Sequence, residues 1–270
     1  VDTFQISGTP TFDLQGGADD DLFIFANNTV LTGSINGQTG SDTLDFSNYL
    51  TRRLIHLTSA SVDGFSGTEV ALSVGFSNID NLIATSAIGV GGDHLYGLNL
   101  PSDWTINAIT SQYTASTFTL NFTAFELIYG GNDDDIFSVS GTIADERWLF
   151  GGVGHDTFKI MNGTSFINGS LDGGGGNNTL DYSDFTTSVT VELSTFNASH
   201  LKSVVGIRDI VGGQAGDFLT GDNGDNHITG GPGNDSLVGL GGDDRYIFSG
   251  AVWGIDTLTE AGGSGTGQDT

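Results

Sequence analysis

Apolar and polar residues alternate along several short segments of this chain. Phe118, Leu120 and Phe122 alternate with hydroxyl and amide residues, and the same pattern returns at 189–193. A period of two residues is typical of β-strands, in which successive side chains point to opposite faces of the sheet. No segment shows the 3.6-residue periodicity of an amphipathic helix. The pattern therefore predicts an all-β chain.

A second pattern, nine residues long, joins a glycine-rich turn to a single apolar position. It reads GGVGHDTFK from Gly151 and GGPGNDSLV from Gly230, with aspartate at position six and a large apolar residue at position eight. Four such units follow one another over 212–247, and isolated units occur elsewhere. Each unit predicts a tight turn followed by a short strand. The residues at position six are Asp21, Asp42, Asp93, Asp135, Asp156, Asn178, Asp217, Asn226, Asp235, Asp244 and Asp256.

The spacing of these units predicts a coiled architecture. Asp135 and Asp156 are 21 residues apart, and Asp217 and Asp235 are 18 apart, which is the length of two units. Two nine-residue units make one coil of a flattened solenoid, so we expect one position-six residue per coil to stack along one edge. The spacing is lost between Asp42 and Asp93, which leaves the register of 46–128 open.

A longer internal repeat predicts how the chain is organised. The segment 42–49 (DTLDFSNY) matches 178–185 (NTLDYSDF), and the segments that follow match at the same offset. We therefore expect a first long β-solenoid unit with degenerate turns at 1–128 and a second unit at 129–211. A block of nine-residue units and the start of a further repeat would follow at 212–270. Because the chain begins at Val1 and ends within an apparent repeat, we expect it to be a piece of a longer protein.

The charge balance excludes several kinds of partner. The 270 residues include 33 acidic and 7 basic side chains, for a formal net charge of −26. A chain without a basic patch cannot displace the counterions of nucleic acid, and it is repelled by anionic membranes. No apolar run is long enough to cross a membrane, so we expect no membrane insertion. The absence of cysteine excludes disulfides and thiol chemistry.

Aspartate and glycine together favour a calcium site. Ca²⁺ takes six to eight oxygen ligands from carboxylates and backbone carbonyls. Glycine can adopt positive φ, so successive carbonyls can turn toward one point. The short aspartate side chain reaches back into its own turn, whereas we expect glutamate to be too long. Because stacked carboxylates about 5 Å apart repel by roughly 3 kcal/mol at an effective dielectric constant near 20, we expect calcium binding to be coupled to folding.

These units resemble the RTX, or haemolysin-type calcium-binding, repeat family. The resemblance implies a right-handed parallel β-roll, with calcium held between turns two units apart on the same edge. It pairs Asp217 with Asp235, Asn226 with Asp244 on the opposite edge, and Asp135 with Asp156. It also implies export from bacteria, commonly by type I secretion, and folding on calcium outside the cell. The implied metal ligands are side-chain oxygens of Asp21, Asp42, Asp135, Asp156, Asp217, Asn226, Asp235, Asp244 and Asp256, joined by Asp19 and Asp133 at position four and by the carbonyls of Gly151, Gly152, Gly230 and Gly231.

The sequence does not indicate an enzyme. The HExxH and GxSxG motifs are absent, and the histidines are scattered. The acidic runs 19–21 and 133–135 resemble paired catalytic carboxylates, but their phase with the nine-residue unit favours turns. A glycan-acting role stays open without an acid/base pair to carry it. Trp104, Trp148 and Trp253 suit either a sugar or partner surface or, more commonly, packing.

Two functions therefore remain open. The first is a structural segment of a large secreted or cell-surface bacterial protein, such as an adhesin, a surface layer or an extracellular filament. Its partners would be calcium, neighbouring domains, surface glycans or further copies of itself. The second is a secretion and folding module for an enzyme or toxin whose catalytic part lies elsewhere. The dispersed nine-residue units favour the first, since modules of the second kind usually carry one long regular block.

Overall fold

A computed structural model describes residues 1–85, 91–164, 166–248 and 254–259. The chain divides into two compact units, one of residues 1–105 with 109–131 and the other of residues 106–108 with 132 onward. The predicted boundary between 128 and 129 lies close to this division, and the predicted boundary between 211 and 212 falls inside the second unit. None of the described residues forms a helix long and apolar enough to cross a membrane.

Short strands account for nearly all regular structure in the first unit. Their apolar residues alternate as the sequence predicts, because one face of each strand packs inward. The strands are β1 (Thr3–Ile6), β2 (Leu14–Ala18), β3 (Leu22–Phe25), β4 (Ser34–Thr39), β5 (Thr43–Asp45), β6 (Leu54–Ser61), β7 (Gly64–Glu69), β8 (Leu72–Ile79), β9 (Asn81–Ile83), β10 (His94–Tyr96), β11 (Ser102–Ile106), β12 (Ser111–Ala115), β13 (Phe118–Thr123) and β14 (Leu127–Gly131).

The second unit continues in the same manner, with many three-residue strands and one strand, β18, of ten residues. A single 3₁₀ turn at Leu193–Thr195 is its one described helical element. The strands are β15 (Asp135–Val139), β16 (Trp148–Val153), β17 (Thr157–Ile160), β18 (Phe166–Gly175), β19 (Thr179–Asp181), β20 (Thr190–Glu192), β21 (Asn197–Ala198), β22 (Leu201–Val205), β23 (Asp209–Val211), β24 (Phe218–Thr220), β25 (His227–Thr229), β26 (Ser236–Val238), β27 (Arg245–Ile247) and β28 (Thr257–Thr259).

Parallel pairing between successive coils confirms the predicted all-β solenoid. In the second unit, strands follow the orders β15-β17-β19-β23-β25-β27, β16-β18-β22 and β20-β24-β26-β28. The apolar residues at position eight are paired in register, as Phe137 with Phe158 and Phe158 with Leu180. The rings of Phe137 and Phe158 stack with centroids 5.0 Å apart, and all three side chains are fully buried. The position-eight side chains therefore form one apolar column of the core, and further buried residues such as Leu149, Ile160 and Leu171 pack in the same coils.

The first unit interrupts this pattern with antiparallel strands. Its sheets run β1-β3-β5-β9-β13-β12-β11 and β2-β4-β8-β7-β6-β10-β14. Strands β6, β7 and β8 form one antiparallel meander, and β11, β12 and β13 form another. These insertions break the spacing of the nine-residue unit, which explains why the register of 46–128 cannot be derived from the sequence.

The internal repeat of the sequence is also a structural repeat. Strands β5 and β19 occupy equivalent places in the two matching segments. After each strand, a backbone N–H is accepted by an aspartate side chain two residues earlier: Ser47 donates to Asp45 at 2.8 Å, and Ser183 donates to Asp181 at 2.7 Å. These Asx turns direct the chain out of each sheet in the same way.

Candidate metal sites at the turns

The position-six side chains lie inside the turns rather than on the surface. Their carboxylates and amides are at most 2% exposed, although each would prefer water as an isolated group. Asp256 is half-buried at the end of the described chain. The buried set is Asp21, Asp42, Asp93, Asp135, Asp156, Asn178, Asp217, Asn226, Asp235 and Asp244.

In most of these turns, one side-chain oxygen of the position-six residue holds the preceding coil. Oδ1 of Asp156 accepts the backbone N–H of Asp135 at 2.9 Å, and Oδ1 of Asn178 accepts that of Asp156 at 2.8 Å. Asp42 does the same for Asp21, at 2.9 Å. These position-six residues therefore form a ladder in which a side chain takes the place of a backbone partner from coil to coil.

In the second unit these ladders run along two edges, so the expectation of a single edge was wrong. Asp135, Asp156 and Asn178 lie at the start of β15, β17 and β19. Asp217, Asp235 and Asp256 precede β24, β26 and β28, which belong to a different sheet. The spacing of 39 residues between Asn178 and Asp217 is therefore a change of edge rather than two coils.

The structure brings together the pairs that the resemblance implies. Oδ1 of Asp235 accepts the N–H of Asp217 at 2.9 Å, and Oδ1 of Asp244 accepts that of Asn226 at 2.9 Å. Asp256 extends the first of these ladders, because its Oδ1 accepts the N–H of Asp235 at 3.0 Å.

The second carboxylate oxygen has no protein partner in several turns. The Oδ2 atoms of Asp21, Asp42, Asp156 and Asp235 are buried, and none accepts a hydrogen bond from the described residues. Such a group costs about 1–3 kcal/mol when it is left unsatisfied, and more when it is charged. A ligand that the protein itself does not provide is therefore expected beside each of these atoms.

A glycine at position one lets each unpartnered oxygen approach the backbone where a side chain would otherwise lie. A Cβ added to Gly151 would lie 2.2 Å from Oδ2 of Asp156 and 2.7 Å from the carbonyl oxygen of Gly173. A Cβ on Gly16 would lie 2.5 Å from Oδ2 of Asp21 and 2.6 Å from the carbonyl oxygen of Gly37. A carboxylate oxygen and a carbonyl oxygen of the next coil thus lie close to each other beside the glycine. Convergent hard oxygens of this kind fit a calcium ion.

The predicted glycine ligands have different places in these turns. The carbonyl oxygen of Gly230 lies 2.4 Å from the Cβ position of Gly212, close to the carboxylate of Asp217. Gly151 lies against the carboxylate of Asp156, as described above. Gly152 and Gly231 have φ of 110° and 90°, which a residue with a side chain rarely adopts. The carboxyl groups of Asp19 and Asp133 lie on exposed residues, and their place as ligands stays a prediction.

The asparagines close their turns without a metal. Nδ2 of Asn178 donates to the carbonyl oxygen of Gly206 at 2.9 Å. Asn226 accepts the N–H of Asp222 at 2.8 Å and donates to the carbonyl of Arg208 at 3.2 Å. An amide therefore supplies the donor that an aspartate lacks, which disfavours calcium at these two turns.

Burial makes the ionised aspartates unfavourable in the metal-free protein. It raises the pKa of Asp156 and of Asp217 to about 6, and it also raises the pKa of Asp42 and of Asp235. Neighbouring carboxylates add a smaller effect in the same direction, as Asp21 does for Asp42. The part of the chain that the structure describes contains no cluster of three or more His, Asp or Glu side chains suited to a metal. Any bound ion must therefore draw on backbone carbonyls for most of its ligands.

Sequence reasoning missed the contacts that Asp80 and Glu126 make between coils of the first unit. Oδ2 of Asp80 accepts the N–H of Asp42 at 2.9 Å. Oε2 of Glu126 accepts the N–H of Asp93 at 2.7 Å, so a glutamate can also join one coil to another. Asp93 accepts N–H groups from Arg53 and Thr85, and burial raises its pKa to about 7. The available signal was an acid two residues before a large apolar residue, without the glycines.

Position five carries a second ladder that the sequence did not reveal. Oδ1 of Asp134 accepts the N–H of His155 at 2.7 Å, and Nδ1 of His155 accepts the N–H of Asn177 at 3.0 Å. Asp20 and Asn234 accept from Ser41 and Ile255 in the same way. The acidic runs are therefore explained by coil-to-coil bonding at positions five and six.

The tryptophans separate into different environments. Trp104 is fully buried, with its ring centroid 4.3 Å from that of Tyr113, so it has the packing role that the sequence favoured and not the surface role left as the alternative. Trp148 is half-buried and stacks with Phe150. Trp253 lies outside the described residues.

Comparison with known proteins supports part of this picture. Residues 211–246 match the RTX calcium-binding nonapeptide repeat in four copies, which confirms the resemblance over that segment. No curated protein matches the chain. Among solved structures, a hyperactive, Ca²⁺-dependent, β-helical antifreeze protein from an Antarctic bacterium is 17% identical, with 99% of this chain and 82% of that chain covered. The TM-score is 0.25, which is too low to establish a common fold.

Proposed function

We propose that this chain, which carries four RTX calcium-binding repeats at 211–246, is a structural β-solenoid segment of a large secreted or cell-surface bacterial protein that folds on calcium outside the cell. An adhesin, a surface layer or an extracellular filament is the class of protein that this segment fits.

The observation that carries the proposal is the set of orphaned carboxylate oxygens in the turns. Asp21, Asp42, Asp156 and Asp235 each hold a coil with one oxygen and bury the other, without a protein partner, against the glycine at position one. These residues join structural and metal-binding roles in one side chain. Bound calcium would supply the positive charge that lets these carboxylates stay ionised inside the fold.

The position of the sites gives calcium control over coil stacking. The backbone N–H of Asp135 is held by Asp156, and the backbone N–H of Asp217 is held by Asp235. Repulsion between the carboxylates opposes this stacking in a chain with a net charge of −26. Extracellular calcium modules bind with dissociation constants of about 10⁻⁴–10⁻³ M, so sites of that class would remain empty in the cytosol. The chain would then be exported unfolded and fold afterwards.

A structural role fits the use of the acidic residues better than catalysis. In the runs 19–21 and 133–135, the position-five carboxylates of Asp20 and Asp134 accept N–H groups of the next coil. At position six, the Asp21 carboxylate accepts the N–H of Asp2, and the backbone N–H of Asp135 donates to Asp156. Asp21 and Asp135 are buried within the turns rather than paired in a cleft. We therefore propose that the segment itself has no enzymatic activity.

The proposal is tested with antibodies raised against this chain and applied to intact cells of the source bacterium. We expect the cells to be labelled in calcium, and added protease to destroy the epitope only after chelation. Detection only inside lysed cells would contradict the proposal. Recovery only in the medium, on a polypeptide that also carries a catalytic domain, would instead support the secretion and folding module.

A further inference from the structure

A strand in the first unit presents an open edge. Strand β6 runs from Leu54 to Ser61, and β7 pairs with it over 56–61. On its other side, β10 pairs only with 54–56. Among the described residues, no backbone hydrogen bond joins 57–60 to a partner on the β10 side. Unpaired N–H and C=O groups of this kind are a template for a further strand.

A cleft of about 570 Å³ lies along this open edge. Leu57, Leu98 and Ala115 are buried apolar residues in its lining, and Leu100 is 46% exposed beside them. Phe118 is half-buried and completes the apolar part of the wall. Clefts of 300–1,000 Å³ with an apolar lining are the usual size of ligand sites.

The lining of the cleft contains no charged side chain. Its polar members are Thr58, Ser59, Asn99 and Ser116, which offer hydroxyl and amide groups. The chain as a whole carries a net charge of −26, so an anionic ligand would be repelled and a cationic ligand would find no counter-charge in the cleft. An uncharged ligand is therefore favoured.

From the open edge and the apolar, uncharged lining, we infer that this cleft binds an extended, uncharged peptide segment with apolar residues at alternate positions. The segment would add a strand to β6, as in other cases of β-strand addition, where main-chain hydrogen bonds give affinity and side-chain pockets give specificity. Alternate side chains would point toward Leu57 and Leu98. This site is separate from the turns and does not depend on the proposed function.

A random seven-residue peptide library displayed on phage, selected on the calcium-saturated chain, tests the inference. Enriched peptides are synthesised, and their binding is measured by fluorescence polarisation. Leu100→Asp places a charge in the cleft at a half-exposed position, so we expect it to weaken binding about tenfold or more. Val74→Asp is the matched control, because Val74 is 69% exposed and is not part of the lining. Both variants are first shown to fold by circular dichroism.

Strand addition is separated from other binding by methylating the peptide backbone. Two peptides are compared, one methylated on the backbone nitrogens of its odd-numbered residues and the other on those of its even-numbered residues. One peptide should lose binding and the other should bind largely unchanged, because only every second N–H of an edge-paired strand faces β6. The inference would be overturned if the two methylation patterns had equal effects or if Leu100→Asp and Val74→Asp weakened binding equally. Selection that enriches no peptide would also overturn it. Binding of a neutral oligosaccharide that Leu100→Asp abolishes, without peptide binding, would also overturn it.

Discussion

Oδ2 of Asp156 lies 2.2 Å from the point that a Cβ on Gly151 would occupy. The same relationship holds for Asp235 and Gly230, at 2.4 Å. Position one of the nine-residue unit must therefore be glycine for a reason beyond backbone conformation, since φ of Gly151 is not in the left-handed region. The missing side chain lets the carboxylate pack directly against the glycine backbone.

Replacing Gly151 with alanine should remove calcium binding at that turn. The added methyl group collides with Oδ2 of Asp156 and with the carbonyl of Gly173, so the carboxylate must move away from its position in the turn. Overpacking of this kind typically costs about 1–3 kcal/mol. The control is Gly175→Ala, because a Cβ there would meet only one atom, at 4.0 Å. Isothermal calorimetry should show one site fewer in Gly151→Ala only, and equal stoichiometry in both variants would contradict the expectation.

Asp156→Asn should change stability in opposite directions with and without calcium. Its new Nδ2 can donate to the carbonyl of Gly173, as Nδ2 of Asn178 does to Gly206 one coil later. Satisfying the orphaned atom should stabilise the calcium-free chain by about 1–3 kcal/mol. In calcium the variant should be less stable than the unmodified chain, because a ligand is lost. Denaturant unfolding in chelator and in calcium measures both, with exposed Asp103→Asn as the control; the same sign in both conditions would refute the site.

The calcium-free chain should become more stable as the pH falls from 7 to 5. The pKa values of Asp156 and Asp217 are raised by burial to about 6, against about 3.9 in an unfolded chain. The folded state therefore binds more protons across this window, and folding becomes more favourable until the pH approaches 4. With calcium present, protons compete with the ion, so the trend should reverse. Thermal unfolding in chelator measures the first trend, and a loss of stability on acidification to pH 5 would contradict it.

The first unit also contains a buried ion pair that does not depend on calcium. Nη1 of Arg53 lies 3.1 Å from Oε1 of Glu69, whose side chain is fully buried, and the guanidinium lies over the ring of Tyr49 at 3.9 Å. Arg53→Met should cost about 3–5 kcal/mol, because it leaves Glu69 without its partner. The double variant Arg53→Met with Glu69→Leu should recover most of that loss. Denaturant unfolding in saturating calcium tests this expectation, and equal losses in the single and double variants would contradict it.

The sequence predicts those parts of the fold that one nine-residue unit encodes locally. A turn and an apolar residue at fixed spacing predict that Phe158 and Leu180 stack and that Asp156 lies in a turn, and both are seen. The two columns of the unit are sufficient for this, because each coil contacts only its neighbours.

The rest of the fold and of the candidate sites depends on contacts that the spacing of the nine-residue units does not encode. Asp42 and Asp80 are 38 residues apart because the β6–β8 meander lies between them, so their pairing cannot be found by counting. Glu126 lies in a turn without the glycines, and its side chain still accepts the backbone N–H of Asp93. His155 joins the position-five ladder through a ring nitrogen, which a pattern of residue types does not show.

Far-UV circular dichroism of the purified chain during a calcium titration, with magnesium as the control, tests the central claim most directly. We expect a cooperative gain of β-structure with calcium alone, because the buried carboxylates of Asp42, Asp156 and Asp235 oppose folding until their charge is balanced. Full β-structure in chelator, unchanged by added calcium, would show that the apolar columns hold the solenoid without metal and would contradict the claim.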